Sequence, residues 1–460
     1  MQELDKKTYL FEAAPVPSAV IQLAVPTILS SLVMVLYNLA DTYFVGMLND
    51  PIQNSAVTLA APVLLAFNAV NNLFGVGSSS LMSRSLGCKD YDMVSRSSAF
   101  GFYCALFSGI IFSILCASFN APLLGLLGAD EHTYGYARQY AMCVIVAGGV
   151  PTVLSNVLSN LLRSVGRSGA AGFGIILGGV LNIILDPVFM FVLLPDGLEV
   201  FGAGAATCLS NCIACVYFFV VLYTGRKGSV ITFSPRVGMA SRESILAVFA
   251  VGLPSAVTSF LFDLDYVILD KLMVSYHNTA LAAIGIVLKV ERFPLNAGVG
   301  ICQGMMPLVG YNYSAGNRRR LRDIIRMSLA VGLVIAAVSI LLYELFAAEL
   351  VRVFLDDSRT VELAASFLRV RVLATPLMFV SFFTVYLFQA LGKGNTSTVL
   401  AVVRWLGFNI PMLYILNAAF GMYGLVWSQV TADSLTVVLS IAVYLKFRPP
   451  LLRAEKLPER

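Results

Sequence analysis

Apolar residues along this chain fall into long uninterrupted blocks. Each is bounded by charged residues or turn formers, and most meet or exceed the roughly 20 residues a helix needs to cross a bilayer core. Twelve blocks can be marked, over 18–46, 56–83, 93–118, 134–163, 169–193, 201–224, 246–274, 280–311, 323–347, 361–391, 397–417 and 422–446. Only helices and closed barrels satisfy the backbone in lipid, and barrel strands alternate with a period of two, so continuous blocks predict helices. The predicted fold class is an all-α polytopic membrane protein with twelve transmembrane helices.

The polar positions between the blocks carry a second pattern. Cytoplasmic loops collect Lys and Arg. An N-terminus inside puts Lys6/Lys7, Arg84/Lys89/Arg96, Arg163/Arg167, Arg226/Lys227/Arg236/Arg242, Arg318/Arg319/Arg320/Arg322, Lys393 and Lys446/Arg448/Arg453/Lys456/Arg460 on one side. The loops near 48–55, 119–133, 194–200 and 418–421 hold none, and Arg352 and Arg359 break the alternation. The expected location is the inner (cytoplasmic) cell membrane, multi-pass, with both termini cytoplasmic. The opening stretch MQELDKKTYLFEAAPVPSAV mixes acidic and basic residues and lacks a small-residue cleavage site, so the first block is expected to stay in the mature protein.

The longest cytoplasmic connection divides the chain into an N-terminal lobe 1–224, a linker 225–244, a C-terminal lobe 245–447 and a tail 448–460. Three segments recur in the same order in both halves: AVPTILSSLV (24–33) with VGLPSAVTSF (251–260), FGVGSSSLMSRSLG (74–87) with AGVGICQGMMPLVG (297–310), and LLRSVGRS (161–168) with LFQALGKG (387–394). Their collinearity predicts two pseudo-symmetric six-helix lobes, with Pro26 and Pro254 as equivalent hinge candidates.

Composition agrees. The 460 residues are 58% apolar and 12% charged, with mean hydropathy +0.82, which excludes a soluble domain, a disordered chain and a secreted disulfide scaffold. The net charge of +5 is scattered over loops, so no nucleic-acid partner is expected. The eight cysteines read as small buried hydrophobes, without zinc-ligand spacing. There is no P-loop, and His132 and His277 are isolated, so direct ATP use, a HExxH site and a histidine triad are not expected, nor is an enzyme.

Ionisable groups at membrane depth cost about 2.5–3.5 kcal/mol each on insertion scales, which singles out the acids inside the spans. Asn182 and Asp186 lie four apart in span five, and Tyr37 and Asp41 four apart in span one, each pair on one helix face. Helical rise places these acids, with Thr207 of span six, at comparable heights in the outer half. Two carboxylates among neutral hydrogen-bonding groups would take up one proton, or one Na+ at Asp41/Asp186 with oxygen ligands; interhelical hydrogen bonding alone is the alternative. Asp263 and Asp265, two apart in span seven, point to different faces, so at most one should face a cavity. Asp433 in span twelve could serve the second lobe. Lys289, Glu291 and Arg292 read as locally compensating. Asn68, Asn156 and Asn160 either line an aqueous cavity or pack helices together. The 30 Phe and 15 Met would suit a repackable cavity for apolar substrates.

At these residues the sequence resembles the MATE (multidrug and toxic compound extrusion) family. The resemblance is carried by LAVPTILSSLVMVLYNLADTYFVGML, LMSRSLGCKD, LLRSVGRSGAA, LNIILDPVFMF, FGAGAATCLSN and MMPLVGYNYSAGNRRR, in that order over nearly the whole chain. It implies two six-helix lobes in a V around a central cavity, coupled to an inward H+ or Na+ gradient. The first-lobe pattern is similar to the DinF-like and MepA-like branches, whose cluster maps onto Tyr37, Asp41, Asn182, Asp186 and Thr207. The NorM-like branch carries acids in spans seven and ten; Asp263 could stand for the first, but span ten has none.

The resulting expectation is a secondary antiporter, functional as a monomer, that exports small organic, cationic amphipathic compounds in exchange for H+ or Na+, with no other cofactor. A lipid-linked oligosaccharide flippase, which would need basic residues lining the cavity, and an intramembrane enzyme using Asp41 and Asp186 as an acid/base pair are the alternatives.

Overall fold

The computed structural model describes residues 9–195, 197–226, 229–234, 241–355 and 357–452, with side chains up to 447. Lys6, Lys7, Lys227, Arg236 and the tail charges Arg453, Lys456 and Arg460 lie outside the described residues, as do parts of the linker.

Among the described residues the chain is helical, without strands. The first lobe comprises α1 (Val16–Gly46), α2 (Pro51–Gly87), α3 (Tyr91–Ser118), α4 (Tyr134–Ala147 with Gly149–Ser164), α5 (Ser168–Leu193) and α6 (Glu199–Thr224). The second comprises α7 (Arg242–Val274), α8 (Asn278–Ser314), α9 (Arg318–Arg352), α10 (Ser358–Val372 with Thr375–Ala390) and the run Gly394–Phe447. That run reverses at Gly421, which holds φ 61° and ψ −141°, separating α11 (394–420) from α12 (422–447). Eleven of the twelve spans are long and apolar enough to cross a bilayer once the bent pairs are counted whole and the last run is divided. The exception is α8, 37 residues long but carrying Lys289, Glu291 and Arg292 at its middle.

The two halves match in detail. Their fourth helices bend by nearly the same angle, 46° in α4 and 47° in α10. Gly166 and Gly392, aligned in the third repeat, end those helices in the left-handed region at φ 82° and 73°. Gly77 and Gly300, aligned in the second repeat, are both points of close approach between lobes. A Cβ on Gly77 would lie 2.9 Å from the Val248 side chain of α7, and one on Gly300 would lie 2.7 Å from Ile28 Cα of α1. One conformational expectation changes. The α1 helix runs unbroken for 31 residues through Pro26, so Pro26 removes one backbone donor without interrupting the helix.

Among the described residues the lobes pack together towards the face that carries the basic loops, here called the basic face. The α1 helix packs on α8, and α2 packs on α7 and α8. Gly304 sits against Ala24, and Asn72 of α2 donates to Ser259 Oγ of α7 at 2.8 Å. The largest apolar core joins both lobes here, from Leu10, Phe11 and Leu23 to Ile301, Met305 and Leu308. Residues 9–14 lie across the seam. Phe11 stacks on Tyr311 at 4.9 Å, Glu12 accepts from the Tyr311 hydroxyl at 2.5 Å, and Arg320 donates to the carbonyls of Leu10, Phe11 and Ala14 at 3.0, 2.7 and 2.6 Å. Towards the opposite face the lobes separate around a cavity.

Candidate functional site

Three polar assemblies lie at membrane depth. The first is in the N-terminal lobe, where α5 and α6 pack closely through glycines. A Cβ on Gly202 of α6 would be 2.8 Å from the Phe189 carbonyl of α5, so only small residues permit the approach. This brings Asn182 and Asp186 of α5 against Thr207 of α6, all three buried. Asn182 Nδ2 donates to Asp186 Oδ1 at 3.2 Å and to Thr207 Oγ1 at 3.1 Å. Asp41 of α1 is close enough to Asp186 to act on its charge, and Tyr37 is close to both. Asp41 Oδ1, Asn182 Oδ1 and Asp186 Oδ2 are buried with no hydrogen-bond partner. None of the ion pairs among the described residues involves Asp41 or Asp186. The five residues singled out in the sequence are thus neighbours in the fold. Tyr140 of α4, buried and within electrostatic reach of Asp41, Tyr37 and Asp186, joins them without having been marked. It lies in a different span and has no acid or amide at helical spacing on the same face. Asn156 and Asn182 line a cavity of about 50 Å³ beside the cluster.

The second assembly is in the C-terminal lobe and holds two buried ion pairs. Arg371 of α10 pairs with Glu291 of α8 at 2.7 and 3.3 Å, and Arg404 of α11 pairs with Asp433 of α12 at 2.9 Å. Gln429 donates to Asp433, and the Arg404 guanidinium lies over the rings of Phe382 and Trp405 at 4.3 and 4.4 Å. Asp433 is therefore held by a guanidinium, which argues against the free second-lobe acid considered above. Glu291 is compensated by Arg371 of another helix, not by Lys289 or Arg292 beside it. Asp265 is buried near both pairs, with one carboxylate oxygen unpartnered.

The third assembly is the cavity between the lobes, about 560 Å³. Its first-lobe wall is neutral, with Met34, Asn38, Thr42, Asn68 and Asn72. Its second-lobe wall carries Asp263, Asp270, Lys289 and Arg292 among Phe262, Tyr266, Phe382 and Tyr386. Asp263 faces this cavity while Asp265 turns away from it, as their spacing requires. Lys289 and Arg292 are cavity residues, which corrects the view that they compensate Glu291. Asn160 lies at the seam instead. It donates to Asn71 at 3.1 Å and accepts from Arg163, whose guanidinium also reaches Gln303 of α8 at 3.0 Å. Pro26 is clamped there too, with Gly172 of α5 against its carbonyl, and the buried Pro254 carbonyl accepts from Thr258 at 2.7 Å. No cluster of three His, Cys, Asp or Glu suited to a metal occurs among the described residues, and the cysteines are free.

A twelve-helix, two-lobe membrane fold with a cavity at the lobe interface and buried acids beside it defines a transporter, not an enzyme. The comparisons agree and supply the family. A profile of the MatE family matches residues 26–188 and 254–415, one segment in each lobe, and the chain belongs to that family. It is similar to the multidrug export protein MepA of Staphylococcus saprophyticus, 30% identical over 447 residues covering 97% of both chains. It is also similar to that of Staphylococcus aureus, 29% identical over 448 residues at the same coverage. Its fold matches a solved structure described as the outward-facing conformation of a multidrug resistance MATE family transporter of the MOP superfamily, with TM-score 0.91 and 24% identity, covering 97% of this chain and 98% of that one.

Proposed function

We propose that this protein is a secondary active multidrug exporter of the inner cell membrane, which moves organic, cationic amphipathic compounds outward in exchange for H+ or Na+ by alternating access. The observation that carries this reading is the set of acceptor oxygens on Asp41, Asn182 and Asp186, buried together without a donor. Acceptors so placed are satisfied by a proton on one carboxyl or by a small cation among them. The export function of the curated relatives supports the substrate side, as do the aromatic rings and Asp263 of the large cavity.

On this reading the basic face is cytoplasmic, both termini lie there, and the conformer is outward-open. An entering ion neutralises the Asp41–Asp186 cluster and changes how α1 packs along α5 near Pro26, which favours release of substrate. It can shift the equilibrium only by its differential affinity for the two states. That residues of one chain line the cavity supports the monomer as the functional unit.

The test is dye efflux from proteoliposomes with pH and sodium gradients imposed separately. One gradient should drive export, and the Asp41→Asn/Asp186→Asn variant should insert normally yet lose gradient-driven export. Efflux by that variant at the unmodified rate would refute the coupling site. A flippase for an anionic headgroup is the second reading, favoured by Lys289 and Arg292 on the cavity wall. Headgroup translocation without any gradient would select it.

A further inference from the structure

The second lobe contains another space, on the far side of α10 from the transport cavity and sharing no residue with it. This groove, about 320 Å³, lies between α9, α10 and α12 and is lined by Arg322, Arg326, Leu329, Phe383, Ser440 and Ile441, among others. Arginines lie on its α9 wall, and apolar side chains line it at every depth. At about 1.5 Å per residue, Arg322 lies about 6 Å and Arg326 about 12 Å in from Arg318 at the start of α9, and Leu329 lies about 16 Å in. Arg322 therefore lies near the mouth at the basic face, Arg326 lies about level with Phe383 of α10, and Leu329 lies deeper. Arg326 and Ile441 are exposed, so the groove opens sideways to the surroundings of the helix bundle. Arg322 Nε and Ser440 Oγ are buried without a hydrogen-bond partner, and neither arginine belongs to an ion pair among the described residues.

A buried donor without an acceptor is costly, and a planar guanidinium matches a phosphate. A soluble anion would meet that need but leave the apolar lining uncovered, whereas a neutral lipid would cover the lining and leave the arginines unmatched. Basic pockets between membrane helices suit anionic headgroups. We propose that this groove binds one anionic phospholipid, its phosphate on Arg322 and Arg326 and an acyl chain along Leu329 and Phe383.

Native mass spectrometry of the full chain, extracted from vesicles of phosphatidylcholine mixed with phosphatidylglycerol, tests this. One phosphatidylglycerol per chain should persist under activation that strips phosphatidylcholine. The Arg322→Gln/Arg326→Gln variant should retain it roughly tenfold less or worse, since each basic residue is worth about 1 kcal/mol towards an anionic headgroup. Arg319→Gln, on an exposed arginine outside the groove, should leave retention unchanged. Leu329→Trp, which fills the groove with both arginines intact, should also displace the lipid, with thermal unfolding confirming that the variant is folded. Equal retention of the two lipids, indifference to the double variant, or displacement of the lipid by inorganic phosphate would overturn the proposal.

Discussion

Arg404 and Asp433 illustrate how a charge survives inside a membrane protein. The pair is almost fully buried, with side chains 2% and 1% exposed, and Gln429 and two aromatic rings complete its surroundings. Removing one member leaves the other charged and unsolvated. Arg404→Leu should therefore cost about 3–5 kcal/mol, whereas Arg404→Leu/Asp433→Leu should lie near the unmodified protein, because a buried pair often does no better than apolar replacements. Thermal unfolding in detergent separates the two outcomes. Residue-scale legibility was uneven for the same reason. Asn182 and Asp186, four apart on one helix, declare their shared face in the sequence, and Tyr37 and Asp41 do likewise. Glu291 and Arg371 are 80 positions apart, and no local spacing links them. Tyr140 should tune the first cluster through its hydroxyl. Tyr140→Phe is expected to move the pH profile of gradient-driven efflux while leaving the unfolding temperature nearly unchanged.

Helices in this fold are positioned by the residues that let them approach. A Cβ on Gly252 of α7 would overlap the Leu73 carbonyl of α2, so Gly252→Val should force the lobes apart at the basic face. Distances between spin labels on opposite lobes at that face should lengthen, while the lobes themselves stay folded. Pro26 acts differently. It leaves the carbonyl of Gln22 without its helical donor in a helix that is nonetheless continuous. Pro26→Ala restores the donor, and the expected result is a stiffer α1 with slower export in the dye assay but undiminished stability. At this scale the sequence was a good guide, since block length and repeat order are local properties. The unbroken course of α1 was not legible, because proline predicts a missing hydrogen bond, and whether the helix then breaks depends on neighbours such as Gly172, Gly300 and Gly304.

The molecule as a whole is two similar bundles whose equivalent helices bend alike and whose aligned glycines make the seam. Charge, however, is distributed unequally. Among the described residues, the first lobe keeps Asp41 and Asp186 without an ion pair in its interior, while the second pairs two of its three buried acids with arginine. The loop charges led to an expected sidedness, and the collinear repeats pointed to the two lobes that the fold has. The first-lobe acid cluster was already legible in the sequence, whereas the pairing of Glu291 and Asp433 with arginines depended on contacts between helices and came only with the structure. The arrangement makes the first lobe the better candidate for coupling, and Asp265→Asn should slow gradient-driven efflux far less than Asp186→Asn in the same vesicles.

Glu12 and Tyr311, which close the basic face together, are 299 positions apart. During synthesis the first six helices must enter the bilayer and wait, with residues 9–14 undocked, until α8 and the start of α9 have left the ribosome. A nascent chain arrested with residue 311 still inside the ribosome would offer that early stretch to a protease, and a chain arrested only after residue 320 has emerged would shield it, so the moment of protection dates the assembly of the two halves.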